Sequence, residues 1–415
     1  MADPTPPVAA RHAIADQSRA LHLEWLLALT AIPTAAGREQ RVVAWLEDWL
    51  TDRPDLALSC DPIGNMVVRF AEEPATDSPL YFTAHLDHPA FVVERSVSPS
   101  IVEVAFRGGV MDDYFEGARV CLFDGDDHRW RGRIAERVDG ANPKFKTFLC
   151  ELEHDCDSLR PGDIGRWDFP EPEIAEVEGI ECCCTHACDD LAAAAAALAA
   201  MDELRQLRAA GKATGDIRLL FTRAEEVGFL GAIGACRHAT IEPGARLLAL
   251  ENSRSFPDSP LGGGPIVRVG DRITIFTPEL TAAVAGVAEK VAGGPAQPTA
   301  SQKQSEMPTW RWQRKLMAGG ACEASVFCAF GHAATCICLP LGNYHNMADL
   351  TAVQAGTNTD KPTPGREYIA VADYHGLVDL LLACATELAD PAGSHGPSFR
   401  SRIDSLWDDL KFVLD

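Results

Sequence analysis

The chain is poor in positive charge. Lys and Arg total 37 against 60 Asp and Glu, a formal net charge of −23 at pH 7. That deficit excludes nucleic acid as the main partner, because phosphate binding needs basic patches. Long hydrophobic runs are missing too. The most apolar stretch, Leu191 to Met201, is alanine-rich and falls well short of the roughly 20 residues that span a bilayer, so no membrane partner is expected. The opening, MADPTPPVAARHAIADQ, has no basic stretch followed by an apolar core, so no secretory leader is expected and the cytoplasm is the expected compartment. C-x-x-C pairs of the structural zinc type are absent among the 14 cysteines; Cys182, Cys183 and Cys184 are consecutive, and Cys336 and Cys338 alternate along an apolar run. They read as reduced, buried small hydrophobes rather than a disulfide scaffold. Gly262-Gly263-Gly264-Pro265 lacks the Lys-Ser/Thr and helix of a phosphate loop and reads as a turn. There are no internal repeats.

What is present suits an ordinary globular protein of two domains. The 415 residues are 47% hydrophobic and 23% charged, enough for a large core. Residues to about Ile14 read as loosely ordered. An amphipathic helix is predicted over Ser18 to Leu29, broken at Ile32-Pro33-Thr34, and a second runs to Leu50 with Val42, Val43, Trp45 and Leu46 on one face. Leu56 to Phe70 reads as two strands joined at a Pro62 to Asn65 turn. From Glu94 to Cys184 the texture changes to short alternating runs, including Ile101 to Phe106 and Phe148 to Leu152, separated by Gly- and Asp-rich turns. This predicts a small all-β domain of barrel type, inserted between two α/β segments. Beyond it come helices to about Ala210, over Pro278 to Val291, Glu323 to Phe330 and Val371 to Leu388. A Gly/Pro/Gln/Ser loop is expected through Met307, and a polar tail anchored at Trp407.

Chemistry gathers where buried stretches end. Leu219 to Thr222 is an apolar strand that runs into Glu225-Glu226. Leu80 onward is another, delivering His85 and Asp87 two residues apart, so on one side of an extended chain. Asp189-Asp190 precedes an alanine/leucine helix, Arg246 to Leu250 ends in Glu251, and Ala334 to Leu339 leads to Tyr344-His345. Open α/β sheets bind ligands at the carboxyl ends of their strands. Singly, each motif has a bland explanation: solvated acids, a histidine satisfied by its neighbours, an acidic helix N-cap. Jointly, His85, Asp189, Glu226, Glu251 and His345 make two imidazoles and three carboxylates, a set suited to two zinc-like ions sharing one carboxylate. Two such ions about 3.5–4 Å apart polarise a carbonyl and activate a water. Glu225, beside a ligand, is then the natural candidate to take the water's proton.

On Ala84-His85-Leu86-Asp87, Asp189-Asp190, Glu225-Glu226-Val227-Gly228, Glu251 and Tyr344-His345, the chain resembles the di-zinc aminopeptidases of the glutamyl and deblocking (tetrahedral) type, over roughly Leu21 to Leu388. The order matters as well. That family inserts its β-domain between the His-x-Asp motif and the bridging aspartate, whereas the carboxypeptidase and deacylase branch of the clan places its extra domain after the Glu-Glu motif. The resemblance implies a three-layer α/β/α metallopeptidase domain, with a mixed phosphorylase/hydrolase-like sheet, from residues 1–93 and 185–415, and an inserted β-barrel at 94–184 through which family members oligomerise. It implies Asp189 as the bridge between two divalent ions, zinc with cobalt or manganese as alternatives, and a strained, often cis, peptide at Asp189-Asp190. His85 and Glu251 would be terminal ligands, Glu226 and His345 would complete the shells, Asp87 would orient His85, and Glu225 would be the general base.

The sequence departs from the family pattern in places. The family's terminal carboxylate is usually Asp where Glu251 stands. His88-Pro89-Ala90 replaces an acid and a glycine, Leu191 an arginine, and Cys322-Glu323-Ala324 a Thr-Asp-Ala motif. The expected function is removal of N-terminal residues from peptides or small amides. The alternatives are an N-acyl amino acid deacylase or carboxypeptidase of the related branch, and a non-catalytic metal-binding paralogue.

Overall fold

The structure, a computed structural model, describes residues 13–72, 76–212, 214–297, 310–388 and 399–414. Residues 1–12 of the segment expected to be loosely ordered to about Ile14, and most of the loop expected through Met307, lie outside the described residues; Ile14 itself is buried in the core.

Helices α1 (Asp16–Thr30) and α2 (Gln40–Thr51) are followed by the hairpin of β1 (Leu56–Cys60) and β2 (Met66–Phe70), and then by β3 (Leu80–His85). The chain next builds β4 (Ala90–Ser98), β5 (Ile101–Arg107), β6 (Arg119–Phe123), β7 (Arg129–Val138), β8 (Lys146–Leu152) and β9 (Ile164–Trp167). These six close into an antiparallel barrel in the order β4-β5-β8-β7-β6-β9. Its interior is aromatic: Phe91, Phe106, Phe115, Phe148 and Trp167 pack ring against ring.

After the barrel come β10 (Glu173–Val177), β11 (Ile180–Thr185), α3 (Leu191–Ala209), β12 (Ile217–Thr222), α4 (Leu230–Arg237), β13 (Arg246–Arg254) and β14 (Ile266–Asp271). Then follow α5 (Pro278–Ala292), β15 (Gln313–Met317), α6 (Glu323–Ala329), β16 (Ala333–Leu341), α7 (Leu350–Ala355), β17 (Glu367–Ala370), α8 (Val371–Glu387) and α9 (Phe399–Leu410). Eight strands make a mixed sheet in the order β1-β2-β12-β3-β13-β16-β14-β15, in which the central neighbours β12, β3, β13 and β16 run parallel.

The sheet's strands read by twos. Leu80, Phe82, Leu219, Phe221, Leu248, Ile337 and Leu339 face a core shared with α1, α3, α5 and α8, whereas Tyr81, Leu220, Leu247, Cys336 and Cys338 face α4 and α6. Helices therefore cover both faces of the sheet. The alanine run of α3 explains itself here: every residue from Leu191 to Leu204 is buried, and small side chains let the helix sit close between the sheet and its neighbours α1 and α8.

Two readings differ from expectation. Strands β10 and β11 pair with β17 in a separate three-stranded sheet instead of with the barrel, because alternation marks a strand without saying which sheet receives it. The tail is helical: Ile403, Leu406, Trp407 and Leu410 follow helical spacing on α9, and Trp407 is 58% exposed where it was expected to be an anchor. None of the cysteines is in a disulfide, and most are buried. No helix among the described residues is long and apolar enough to cross a membrane.

Candidate metal centre

The four parallel strands point their carboxyl ends at one edge of the sheet. His85 is the last residue of β3, Glu251 sits in the outer half of β13, and β16 runs on to the turn that carries His345. Glu225 and Glu226 follow β12, whose Thr222 pairs with His85. Asp189 precedes α3, which packs on β3. The peptide between Asp189 and Asp190 is cis, as the resemblance implies.

All five expected ligands and Glu225 line one cleft of about 760 Å³. Asp189 stands between the two imidazoles. Its Oδ1 is 3.4 Å from His85 Nε2 and its Oδ2 is 3.5 Å from His345 Nε2. Glu226 Oε1 is 3.2 Å from His345 Nε2, and Glu225 Oε2 is 3.9 Å from His85 Nε2. His85, Asp189 and Glu226 bring one ligand atom each within 4.8 Å of one another, and so do His85, Glu225 and Glu251. Glu251 therefore stands on the His85 side of the centre, close to Glu225.

The second nitrogen of each ring is already engaged. His85 Nδ1 donates to the Asp87 carbonyl at 3.0 Å, and His345 Nδ1 donates to the Gly109 carbonyl at 2.6 Å. Both Nε2 atoms are thereby turned toward the carboxylates, the arrangement by which ligating histidines are usually held. Gly109 follows β5 of the barrel, so the barrel supplies the anchor of one imidazole. The Asp87 carboxylate lies 3.5 Å from His85 Nδ1, and it also accepts the backbone N–H groups of Glu225 at 2.9 Å and Glu226 at 3.0 Å. It thus fixes the loop that carries both glutamates as well as standing beside the ring.

Other positioning residues were not read from the sequence. Asn252 donates to the Cys188 carbonyl and to Asp190 Oδ1, while Asp190 Oδ2 accepts the His85 amide. His88 Nδ1 meets the Asp189 carbonyl at 2.5 Å, and its Nε2 meets Asn346 Oδ1. Glu367, fully buried at the head of β17, accepts backbone N–H groups from Cys188, Asp189 and His345. The only sequence signal for Glu367 was a single acid opening the apolar run Tyr368 to Val371.

The electrostatics are those of a carboxylate-rich site with too little positive charge. Burial pushes the carboxyls of Glu225 and Glu251 well above their usual range; Glu226 and Asp87 raise Glu225 further, and Cys322 and Glu225 raise Glu251. Burial opposes charge on His85 and His345, yet Glu225 and Asp189 around the first, and Glu226 and Asp189 around the second, hold both imidazoles well above their usual range. Asp189, though buried, is held well below it by His345 and His85. Asp189 Oδ1, Glu226 Oε1 and Glu251 Oε1 are buried without a hydrogen-bond donor among the described residues. Buried carboxylate oxygens left unpaired, facing two aimed imidazole nitrogens, fit divalent cations.

The comparisons with known proteins bear on the fold and on the family resemblance. Residues 148–297 match the model of the M42 glutamyl aminopeptidase family, a stretch that holds Asp189, Glu225, Glu226 and Glu251. The resemblance read from the motifs holds. Among solved structures, the chain is similar to the TET1 peptidase of Pyrococcus horikoshii, described as assembling into a tetrahedron or a large octahedral shell. The two are 20% identical, with a TM-score of 0.67, over 88% of this chain and 99% of that one. An aminopeptidase from the archaeon Desulfurococcus kamchatkensis matches at 20% identity and a TM-score of 0.67, over 89% of this chain and 95% of the other. A TET aminopeptidase from a marine-sediment thaumarchaeote matches at 17% identity and a TM-score of 0.66, over 89% and 97%. At such identities these likenesses establish the shared fold. No curated protein matches the chain.

Proposed function

We propose that this chain is a metal-dependent aminopeptidase whose centre is held by His85, Asp189, Glu226, Glu251 and His345. One observation carries the reading: the two oxygens of Asp189 each face a different imidazole, the disposition expected of a carboxylate shared by two ions. Two divalent ions bound there, zinc by first choice with cobalt or manganese as alternatives, would polarise the scissile carbonyl and acidify a water.

The chain's own residues do the rest. Asp189, on the proposed reading, sets the two halves of the centre against each other. Asp87 fixes the Glu225-Glu226 loop through its two amides and leaves the Glu225 carboxyl free to face the cleft. Glu225 would take the proton from the attacking water and pass it to the leaving amine, a role that suits a buried carboxyl whose proton affinity burial has raised. Cleft residues Phe256, Leu316 and Met317 would pack against the substrate's side chain, and the cleft is wide enough for one end of a peptide.

We take residues 1–93 and 185–415 as the catalytic domain and 94–184 as the inserted one. Homo-oligomerisation through the inserted part, in the cytoplasm, completes the proposal. The similar structures are themselves described as a dodecamer and as tetrahedral or octahedral assemblies.

The test is a metal-replete chain assayed on free-amine aminoacyl amides and short peptides beside their N-acylated counterparts. Cleavage of the free-amine panel, abolished by Glu225→Gln with metal still bound, supports the proposal. Cleavage confined to the acylated panel points to a deacylase instead. Inertness across both panels removes the enzymatic reading.

A further inference from the structure

We infer that Glu367 is the positioning residue that spaces the two halves of the metal centre, by clamping the segment of Asp189 to the segment of His345. The inference rests on the metal-centre reading above and adds to it a residue that carries no ligand atom.

The clamp is built twice, once in backbone and once in side chain. Strand β17 is laid between the two segments. On one side it pairs with β11, Thr185 opposite Glu367, four residues before Asp189. On the other side Tyr368 pairs with Gly342, three residues before His345, through Gly342 N–H to the Tyr368 carbonyl at 2.9 Å. The Glu367 carboxylate then reaches past both ladders. Oε2 accepts from the amides of Cys188 at 2.7 Å and Asp189 at 3.0 Å, and Oε1 accepts from the amide of His345 at 2.8 Å. One oxygen is committed to each segment, so the O–C–O unit acts as a spacer of fixed width between the backbone of the shared carboxylate and that of an imidazole.

The chemistry demands a carboxylate. When ionised it is acceptor-only at both oxygens, whereas an amide must turn its NH₂ toward one of the two segments and meet an N–H with an N–H. A shorter acid keeps both acceptors but pulls the spacer back from its amides. The side chain is fully buried, so solvent cannot substitute for a lost partner. The clamp holds an unusual turn: Asn343, His345 and Asn346 all have positive φ, 51°, 55° and 62°, the left-handed region that few residues other than glycine occupy and that Asn and His tolerate best.

The experiment compares wild type, Glu367→Gln and Glu367→Asp as full-length apo-chains titrated with Co²⁺. It follows heat and the visible cobalt spectrum, and afterwards peptide turnover. A clamp predicts two ions in wild type. In Glu367→Gln it predicts about 10–100-fold weaker binding of the ion shared by Asp189 and His345, a changed cobalt spectrum, and a loss in kcat larger than any change in KM. Glu367→Asp recovers part of the affinity. If Glu367→Gln does not fold, Glu367→Asp alone carries the same readout, set against wild type. A variant that binds both ions with wild-type affinity and spectrum overturns the inference, whatever its melting temperature, and leaves the metal centre standing. Wild-type chain that takes up no cobalt, zinc or manganese sinks the metal centre itself, and the clamp with it.

Discussion

Asp124 in the barrel and Asp189 at the sheet edge are both buried, and they are provided for in opposite ways. Asp124 receives a full set of donors from its own neighbourhood: the amides of Asp126 and His128, the indole of Trp130 at 3.1 Å and the hydroxyl of Ser158 at 2.5 Å. It knots a turn and nothing is left over. Asp189 keeps Oδ1 without a hydrogen-bond donor among the described residues, and Glu226 and Glu251 each keep an oxygen in the same condition. The acids around them are pressed toward protonation, and the imidazoles toward charge. Burial alone therefore does not separate a structural acid from a functional one. What separates them is whether the fold has supplied every partner, and at the sheet edge carboxylate oxygens are left without a donor among the described residues.

The sharpest way to test that contrast is at Glu225. Glu225→Gln keeps the shape and burial of the side chain and removes only its capacity to take a proton. Turnover is expected to fall by about 10²–10⁴-fold, while metal content and melting temperature stay near wild type. A variant that retained turnover within a few-fold would place the proton acceptor elsewhere.

Next comes the metal itself. Saturating zinc at about 1,000 times its dissociation constant adds about 4 kcal/mol to the stability of a chain that binds it only when folded. Apo-protein should therefore melt well below loaded protein. Asp189→Asn should abolish most of that difference. Asp124→Asn should leave it intact and instead cost loaded and apo-protein alike about 1–3 kcal/mol, since an amide there faces donors with a donor. If Asp124→Asn also removed the metal effect, the two aspartates would be coupled and the contrast between them would fail.

Acid should add a smaller effect from the helical layer. Burial lowers His22 on α1 and His375 on α8 to about 4, against an ordinary value of 6.5. Both are neutral in the folded chain near neutral pH, and the unfolded chain binds protons that the folded chain refuses between pH 6.5 and about 4. The stability these groups contribute is thus complete above pH 6.5 and drains away as pH falls toward 4. Melting curves of wild type and His22→Phe between pH 7 and 5 should converge or cross as pH drops. Parallel curves would remove His22 from the account.

The contrast also explains what the sequence could disclose. The candidate ligand cluster was legible because each member lies at or beyond the outer end of a buried strand, or just before a helix, and a polar residue in such a place stands out against its apolar neighbours. The barrel was legible as a change in texture from long helices to short alternating runs. The amide-binding roles of Asp87 and Glu367 were hidden, because their partners are backbone N–H groups, which carry no residue identity. Those partners also lie far along the chain, as with Glu367 and Cys188, 179 residues apart. Strand β14 escaped notice behind a glycine-rich turn. Strand β15, with Arg314 and Lys315 at its middle, lacks the alternation of a half-buried strand and sits at the sheet's edge, where burial on both faces is not imposed.

The smallest expected effect is at Trp407, with Trp167 as its buried counterpart. Trp167 is 2% exposed at the centre of the barrel's aromatic cluster, within 4.9 Å of Phe91, ring centre to ring centre. Trp407 on α9 is 58% exposed, and Ile403, Leu406 and Leu410 beside it are about as open. Truncation of Trp167 to Ala removes a packed ring that the surrounding strands cannot collapse to fill, and is expected to cost about 3–5 kcal/mol. Truncation of Trp407 gives up little contact within the chain, and its melting temperature should match wild type to within about 0.5 kcal/mol of stability. The two variants, melted side by side at a dilution where chains stay apart, report directly on what the fold has finished internally and what it has left at its surface. A Trp407→Ala loss approaching that of Trp167→Ala would mean that α9 packs on the body of the same chain, and that its apolar side belongs with the barrel core as a satisfied part of the fold.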